Sequence, residues 1–167
     1  MIPTLRSERL VLRPPREDDL DASAAMYADP EVMRYLGDGH VFTRQESWRY
    51  LAFIVGHWQL RGFGMWSVTL RDDDRMIGRA GFFEPDGWPG FEIGWTFARH
   101  AWGHGYATEA VLCALRHGRE VMRRTEFVSV IHPDNAASIR LAGRIGERYL
   151  RSEIVNGQSR AIYGMSL

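Results

Sequence analysis

Two glycines, Gly103 and Gly105, stand between an alternating apolar stretch, Phe91 to Phe97, and a helical pattern that opens near Ala107. Glycine there lets the backbone turn tightly, so the amides from about Gly103 to Thr108 can converge on one anion. The dipole of the helix that follows adds partial positive charge. The chemistry on offer is phosphate binding, although spacing alone equally allows a turn that only joins a strand to a helix. The segment has no Lys-Ser/Thr pair of the Walker type and no third glycine to complete a dinucleotide fingerprint. A second candidate is Asn135 with Ser138. Asn135 follows Pro133-Asp134 at the start of a helical pattern, where an N-cap belongs, and the i, i+3 spacing puts both residues on one face. Capping and ligand contact are equally open for Asn135, and Ser138 alone reads as a surface serine. Cys113 and His117 have the i, i+4 spacing of a nucleophile and base. Cys113, however, lies in a helix rich in Ala, Val and Leu and reads as a small core residue. His100 and His104 have no carboxylate to complete a metal set, and no metal is expected.

The elements that must position these residues follow from periodicity and turn chemistry. Residues 5 to 13 alternate as a strand, with Leu10 and Leu12 on one face and Arg9, Val11 and Arg13 on the other, closed by Pro14-Pro15. A helix is expected from Asp18-Asp19 to about Tyr27, ended by Asp29-Pro30, and a short helical turn from Glu31 to Leu36. Thr43 and Glu46 form a capping-box signature for a helix that carries Trp48, Leu51, Phe53, Val55 and Trp58 and stops at Gly62. Met65 to Leu70 and Met76 to Phe83 read as a hairpin, Phe91 to Phe97 and Glu126 to Ile131 as strands, and Ala107 to about Val121 and Asn135 to Ile145 as helices. Two strands close the chain, Glu147 to Val155 and Ser159 to Leu167, joined by the Asn156-Gly157 hairpin signal. The strand–helix–strand run from Phe91 to Ile131 implies a parallel crossover within a mixed sheet.

Composition excludes several classes. The chain has 167 residues, the size of one domain with a sizeable core, and 21 basic residues balance 21 acidic ones. No excess positive charge favours nucleic acid or an anionic membrane surface. One cysteine makes no internal disulfide, and the opening MIPTLRSERLVLRPP has no apolar signal region, so a cytoplasmic protein is expected.

WGHGYATEA, residues 102 to 110, resembles the acyl-CoA pyrophosphate loop of the GCN5-related N-acetyltransferases, specifically the subgroup that acetylates ribosomal protein N-termini. The resemblance spans nearly the whole chain. ERLVLRP at 8 to 14, DPEVMRYL at 29 to 36, FEIGW at 91 to 95 and HPDNAASIRLAGRIG at 132 to 146 are similar to that subgroup's first strand, early helical segment, fourth strand and last helix, in the correct order. It implies one domain over residues 1 to 167 with a mixed α/β (α+β) fold. About seven strands form a twisted, mostly antiparallel sheet flanked by helices. The strand before the loop is splayed from the next one.

The same resemblance implies acetyl-CoA as cofactor. Trp102, Gly103, His104, Gly105, Tyr106, Ala107 and Thr108 would bind its phosphates, backbone groups around Thr96 and Phe97 and the side chain of Asn135 its pantetheine arm, and Ser138 would sit by the thioester sulfur. Trp102 stands where the wider superfamily has Arg or Gln, a change common in this subgroup. Many members carry a tyrosine acid seven residues after the Asn; here that position is Ala142, which leaves Ser138 or a water it holds to stabilise the thiolate. The usual Gly-Phe after the helix is Gly146-Glu147. An amine acceptor arrives protonated and needs a base with a pKa brought toward neutrality by burial. Glu92 in the cleft-flanking strand is the first choice and Glu84 the second, while dipole stabilisation alone explains Glu109. Trp48, Phe53, Trp58, Phe63 and Trp66 are read mainly as core, with no more than one or two of them in the acceptor pocket.

The reading is direct acetyl transfer to a primary amine, on a protein N-terminus or a small molecule, with a homodimer compatible and neither nucleic acid nor membrane as partner. The rivals are a non-catalytic acyl-CoA sensor and a nucleotide-phosphate binding module.

Overall fold

The alternating stretch at residues 5 to 13 is not one strand in the computed structural model, which describes residues 1–166. Ser7 turns the chain, its hydroxyl accepting the Leu10 N–H at 3.2 Å, so that β1 (Leu5–Arg6) and β2 (Leu10–Arg13) pair antiparallel. This split makes eight strands where about seven were expected. A 3-10 turn at Glu17–Asp19 leads into α1 (Leu20–Tyr27), followed by α2 (Pro30–Met33), whose N-cap Asp29 accepts the Glu31 N–H, and α3 (Arg44–Arg61). The expected capping box forms: Thr43 Oγ1 accepts the Glu46 N–H at 3.2 Å and the Glu46 carboxylate accepts the Thr43 N–H at 2.8 Å. α3 buries Ser47, Leu51, Ile54, His57 and Trp58 and leaves Trp48, Phe53 and Val55 exposed.

The remaining elements are β3 (Met65–Leu70), β4 (Met76–Phe83), β5 (Glu92–Phe97), α4 (Tyr106–Glu120), β6 (Glu126–Ile131), α5 (Ala136–Arg144), β7 (Arg148–Val155) and β8 (Gln158–Ser166). The last expected strand reached Leu167, which lies outside the described residues. They form one sheet in the order β1-β2-β3-β4-β5-β6-β8-β7, antiparallel except for the β5–β6 pair, which α4 connects. Asn156 and Gly157 both take positive φ, 50° and 76°, as the hairpin signal requires.

The core lies between the sheet and its helices, around Trp66, Phe82, Phe127, Ile93 and Leu115. α4 approaches closely because position 118 has no side chain: a Cβ there would stand 2.7 Å from the Phe82 ring. Arg13, on the face opposite Leu12, is also buried. Its guanidinium is bidentate to Asp19 at 2.6 and 3.0 Å and bonds Asp74 at 2.7 Å, which ties β2 to the start of α1 and the β3–β4 turn. Among the described residues no helix is long and apolar enough to cross a membrane.

Candidate active site

β5 and β6 share a single register pair, Glu92 with Val128. One residue further on the ladder fails. The Val130 N–H, which would continue it, donates instead to Glu92 Oε1 at 3.2 Å, and the Ile93 carbonyl accepts from the Ser129 hydroxyl at 2.8 Å. Side chains thus satisfy the polar groups that the opening strands expose. Glu92 Oε2 accepts from Trp88 Nε1 at 2.7 Å. Burial pushes this carboxyl up to about 7, with the bonds from Val130 and Trp88 acting against the rise. It is partly exposed, on the wall of a cavity of about 510 Å³ whose aromatic lining comes from Tyr27, Tyr35, Phe42, Tyr50, Phe83, Trp88 and Trp95.

On the other side of the splay lies a second cavity, of about 1160 Å³. Thr96, Phe97, Trp102, Gly103, Gly105, Tyr106, Ala107, Thr108, Asn135 and Ser138 all line it; His104 does not. The His104 ring stacks on Tyr106, centroids 5.3 Å apart, and its carbonyl accepts from Arg9 at 3.0 Å. The two cavities share Tyr35, Leu36, Trp95, Thr96, Asn135 and Ser138, so a molecule in one meets a molecule in the other at these residues.

The glycine turn leaves α4 with an uncapped N-terminus. Gly103 and Gly105 both have φ of +79°, and no side chain caps the helix, so the amides of Tyr106, Ala107 and Thr108 are free to bind an anion. Glu109, one turn in, is a tether. Burial opposes its ionisation, but bonds from the Arg9 N–H, the Ser7 hydroxyl and the Arg9 guanidinium, at 2.7–2.8 Å, outweigh that and hold it below the usual carboxylate range. Arg6, Arg34, Arg116 and Arg144 also line the larger cavity. They come from four separate segments, which is why no linear motif announced them.

Strand register shows which backbone groups of β5 face the splay. Thr96 pairs with Arg79 of β4, so its backbone groups belong to that ladder. The carbonyls of Phe91, Ile93 and Phe97 all accept from the β6 side or the loop, from Val128 N–H, Ser129 Oγ and Trp102 Nε1. By the alternation of strand hydrogen bonding, Trp95 N–H and C=O face the open side without a ladder partner. Trp102, in place of a phosphate-binding side chain, holds the end of β5 at 2.8 Å from the Phe97 carbonyl.

At the start of α5 Asn135 caps the helix. Its Oδ1 accepts the Ser138 N–H at 3.1 Å, the capping bond, which leaves the amide nitrogen for a ligand. Ala142 is fully buried and lines neither cavity, whereas Tyr35, which no motif singled out, lines both. Glu84 is not in the Glu92 cavity; its N–H donates to the buried His57 ring at 3.1 Å. None of Trp48, Phe53, Trp58, Phe63 or Trp66 reaches that cavity, within the limit of one or two that the sequence set. Phe63, Trp58 and Trp66 are core, and Trp48 and Phe53 are exposed on α3. Cys113 is buried, and burial pushes its thiol up. Glu147, at the altered Gly-Phe position, is 4 % exposed, and among the described residues neither carboxylate oxygen has a hydrogen-bond partner, since the Ser129 hydroxyl beside it donates to Ile93. Burial pushes Glu147 up to about 8, and the Glu92 charge adds to the rise.

Residues 9–148 match the acetyltransferase (GNAT) domain family. The chain is 31 % identical over 170 residues to an uncharacterized N-acetyltransferase p20 of Bacillus licheniformis, covering 98 % of this chain and 95 % of that protein. The crystal structure of an acetyltransferase from Agrobacterium tumefaciens superposes with a TM-score of 0.87 at 28 % identity, covering 100 % of this chain and 96 % of that one. The Salmonella typhimurium acetyl transferase that modifies the N-terminal serine of ribosomal protein L7/L12 superposes with a TM-score of 0.78 at 16 % identity, covering 99 % of each chain, a likeness of fold.

Proposed function

The chain belongs to the acetyltransferase (GNAT) domain family, and from that premise we propose that it moves the acetyl group of acetyl-CoA to a primary amine held in the Glu92 cavity. The observation that carries this reading is the junction of the two cavities at Thr96, Asn135 and Ser138, with an anion-binding helix end on one side and a carboxylate of raised pKa on the other.

Acetyl-CoA fits the larger cavity. Its phosphates suit the free amides of Tyr106, Ala107 and Thr108, and its amide-bearing arm suits the open edge of β5 at Trp95 and the Asn135 amide. When bound it supplies a thioester carbonyl open to attack by an amine. Glu92 takes a proton from the acceptor ammonium, directly or through water, because a carboxylate titrating near 7 is a competent base at neutral pH. Backbone N–H groups on the open edge of β5 polarise the carbonyl, and Ser138 Oγ with the α5 N-terminus faces the departing sulfur. Holding both reactants at the junction makes the attack effectively unimolecular.

The test is calorimetric titration with acetyl-CoA. The wild type is expected to bind at micromolar Kd, and Gly105→Glu to lose binding while keeping its fold, because the new carboxylate stands where phosphates belong. Thiol release with a panel of amines then measures turnover. No binding by the wild type, or binding indifferent to Gly105→Glu, would sink this assignment of the loop.

A further inference from the structure

The Glu92 cavity has a second charged wall. Arg160, on β8, is 7 % exposed and lines the cavity. Two of its N–H groups are bonded to main-chain carbonyls, Nη1 to Ser159 at 3.2 Å and Nη2 to Gly37, which joins β8 to the loop after α2 across the cavity. A guanidinium has five donors, so several remain without a protein acceptor. Among the described residues no carboxylate lies within 4 Å of it; Asp38, which also lines the cavity, accepts the His40 N–H instead. The contrast with Arg13 is informative. That arginine is equally buried, and the fold gives it Asp19. Arg79 is buried without a carboxylate too, but it lines neither cavity and sits over the faces of Tyr27 and Tyr50. Arg160 is thus a buried cation without a counter-charge, opening into the cavity that holds Glu92, and a guanidinium fork matches a carboxylate.

Register places the two groups at a useful separation. Glu92 pairs with Val128, and Ala161 pairs with Ile131, so β5 and β8 flank β6. Glu92 and Arg160 are two strand spacings apart, about 10 Å, and offset by about four residues, roughly 13 Å, along the strands. Both side chains extend into the cavity, and what lies between them has the scale of a small molecule. Tyr35, Phe42, Phe83 and Trp88 supply apolar and aromatic wall around that gap.

We propose that Arg160 is the carboxylate-binding subsite of the acceptor cavity and that the acceptor is a small zwitterion, an amino acid with an apolar or aromatic side chain, whose carboxylate pairs with Arg160 while its amine faces Glu92. This rests on the acetyltransferase reading of the same cavity and goes further by naming the acceptor class. An amidated peptide carries an amine at one end but brings no carboxylate to Arg160.

The experiment measures binding, by calorimetry in the presence of CoA, of aromatic and branched apolar L-amino acids, each beside the amine that lacks its carboxylate, such as phenylalanine beside phenethylamine. Thiol-release kcat/KM is then measured on the same pairs with acetyl-CoA. At least one amino acid is expected to bind tenfold or more tightly than its amine. Arg160→Met should erase that ratio by weakening the amino acid alone, and Arg160→Lys should keep part of it. Acetyl-CoA affinity, measured on every variant, should not move. Equal binding of both members of every pair, equal loss of both in Arg160→Met, or preference for a peptide amide overturns the proposal. If Arg160→Met fails to fold, the wild-type ratio and Arg160→Lys still decide it. Loss of acetyl-CoA binding by the wild type would instead overturn the reading on which it rests.

Discussion

The Glu92 carboxylate does two jobs through the same pair of oxygens. It accepts the Val130 N–H where β6 parts from β5 and the Trp88 indole N–H, and in the proposed mechanism it is the base that faces the cavity. Because burial raises its pKa to about 7, the active, ionised form grows as pH rises through that value. We therefore expect kcat/KM for an amine to climb to a plateau above pH 7. Glu92→Gln should lower kcat/KM by about 10²-fold or more and remove that limb of the pH profile. A Gln variant with the wild-type profile would move the base elsewhere. Glu92 was legible as a candidate because it stands in FEIGW, but its bonds to Val130 and Trp88 were not. They depend on where β6 parts from β5, a property of two strands and not of one residue.

At the scale of elements, two helix N-termini line the larger cavity, and that of α5 also reaches the junction with the smaller one. That of α4 is kept uncapped by Gly105, whereas that of α5 is capped by Asn135. The cap and the proposed ligand contact use different atoms of one side chain, so substitution can separate them. Asn135→Ala should cost about 1 kcal/mol of stability and raise the KM for acetyl-CoA. Asn135→Asp keeps the capping oxygen but has no amide donor; its melting temperature should stay near wild type while the KM remains raised about tenfold. Wild-type KM in the Asp variant would reduce Asn135 to a cap. Chain order and turn chemistry made most elements readable, from the Thr43–Glu46 capping box to the Asn156-Gly157 turn. The first strand reads as continuous in the sequence because Ser7 looks like any polar residue in an alternating run. Its turn is held by Glu109, a hundred residues away.

For the molecule as a whole, Glu147 sets an upper limit on the pH of greatest stability. An unfolded glutamate titrates near 4.5 and Glu147 in the fold near 8, so between those values the native state holds a proton that the unfolded state has released. Stability therefore falls as pH rises through this window, and Glu92 contributes in the same direction up to about 7. Glu147→Gln, neutral at every pH, should remove about 3 kcal/mol of the fall between pH 5.5 and 8.5, or about 6–12 °C in Tm, relative to the wild type. Thermal melts from pH 5.5 to 8.5 check it. Parallel curves for the two proteins would mean that Glu147 ionises normally inside the fold.

The sequence by itself determined most elements of the mixed α/β architecture and the glycine turn before α4, because periodicity, capping and glycine placement are local properties that survive as text, and the order of its motifs carried the likeness to the family. Tertiary structure alone decided which aromatics wall the acceptor cavity. It also decided that Thr96 points its backbone to β4 and Trp95 to the splay, that Glu147 is buried without a partner, and that Arg160 stands opposite Glu92 without a counter-charge. Burial, register and charge pairing arise between segments far apart in the chain, and no single segment records them.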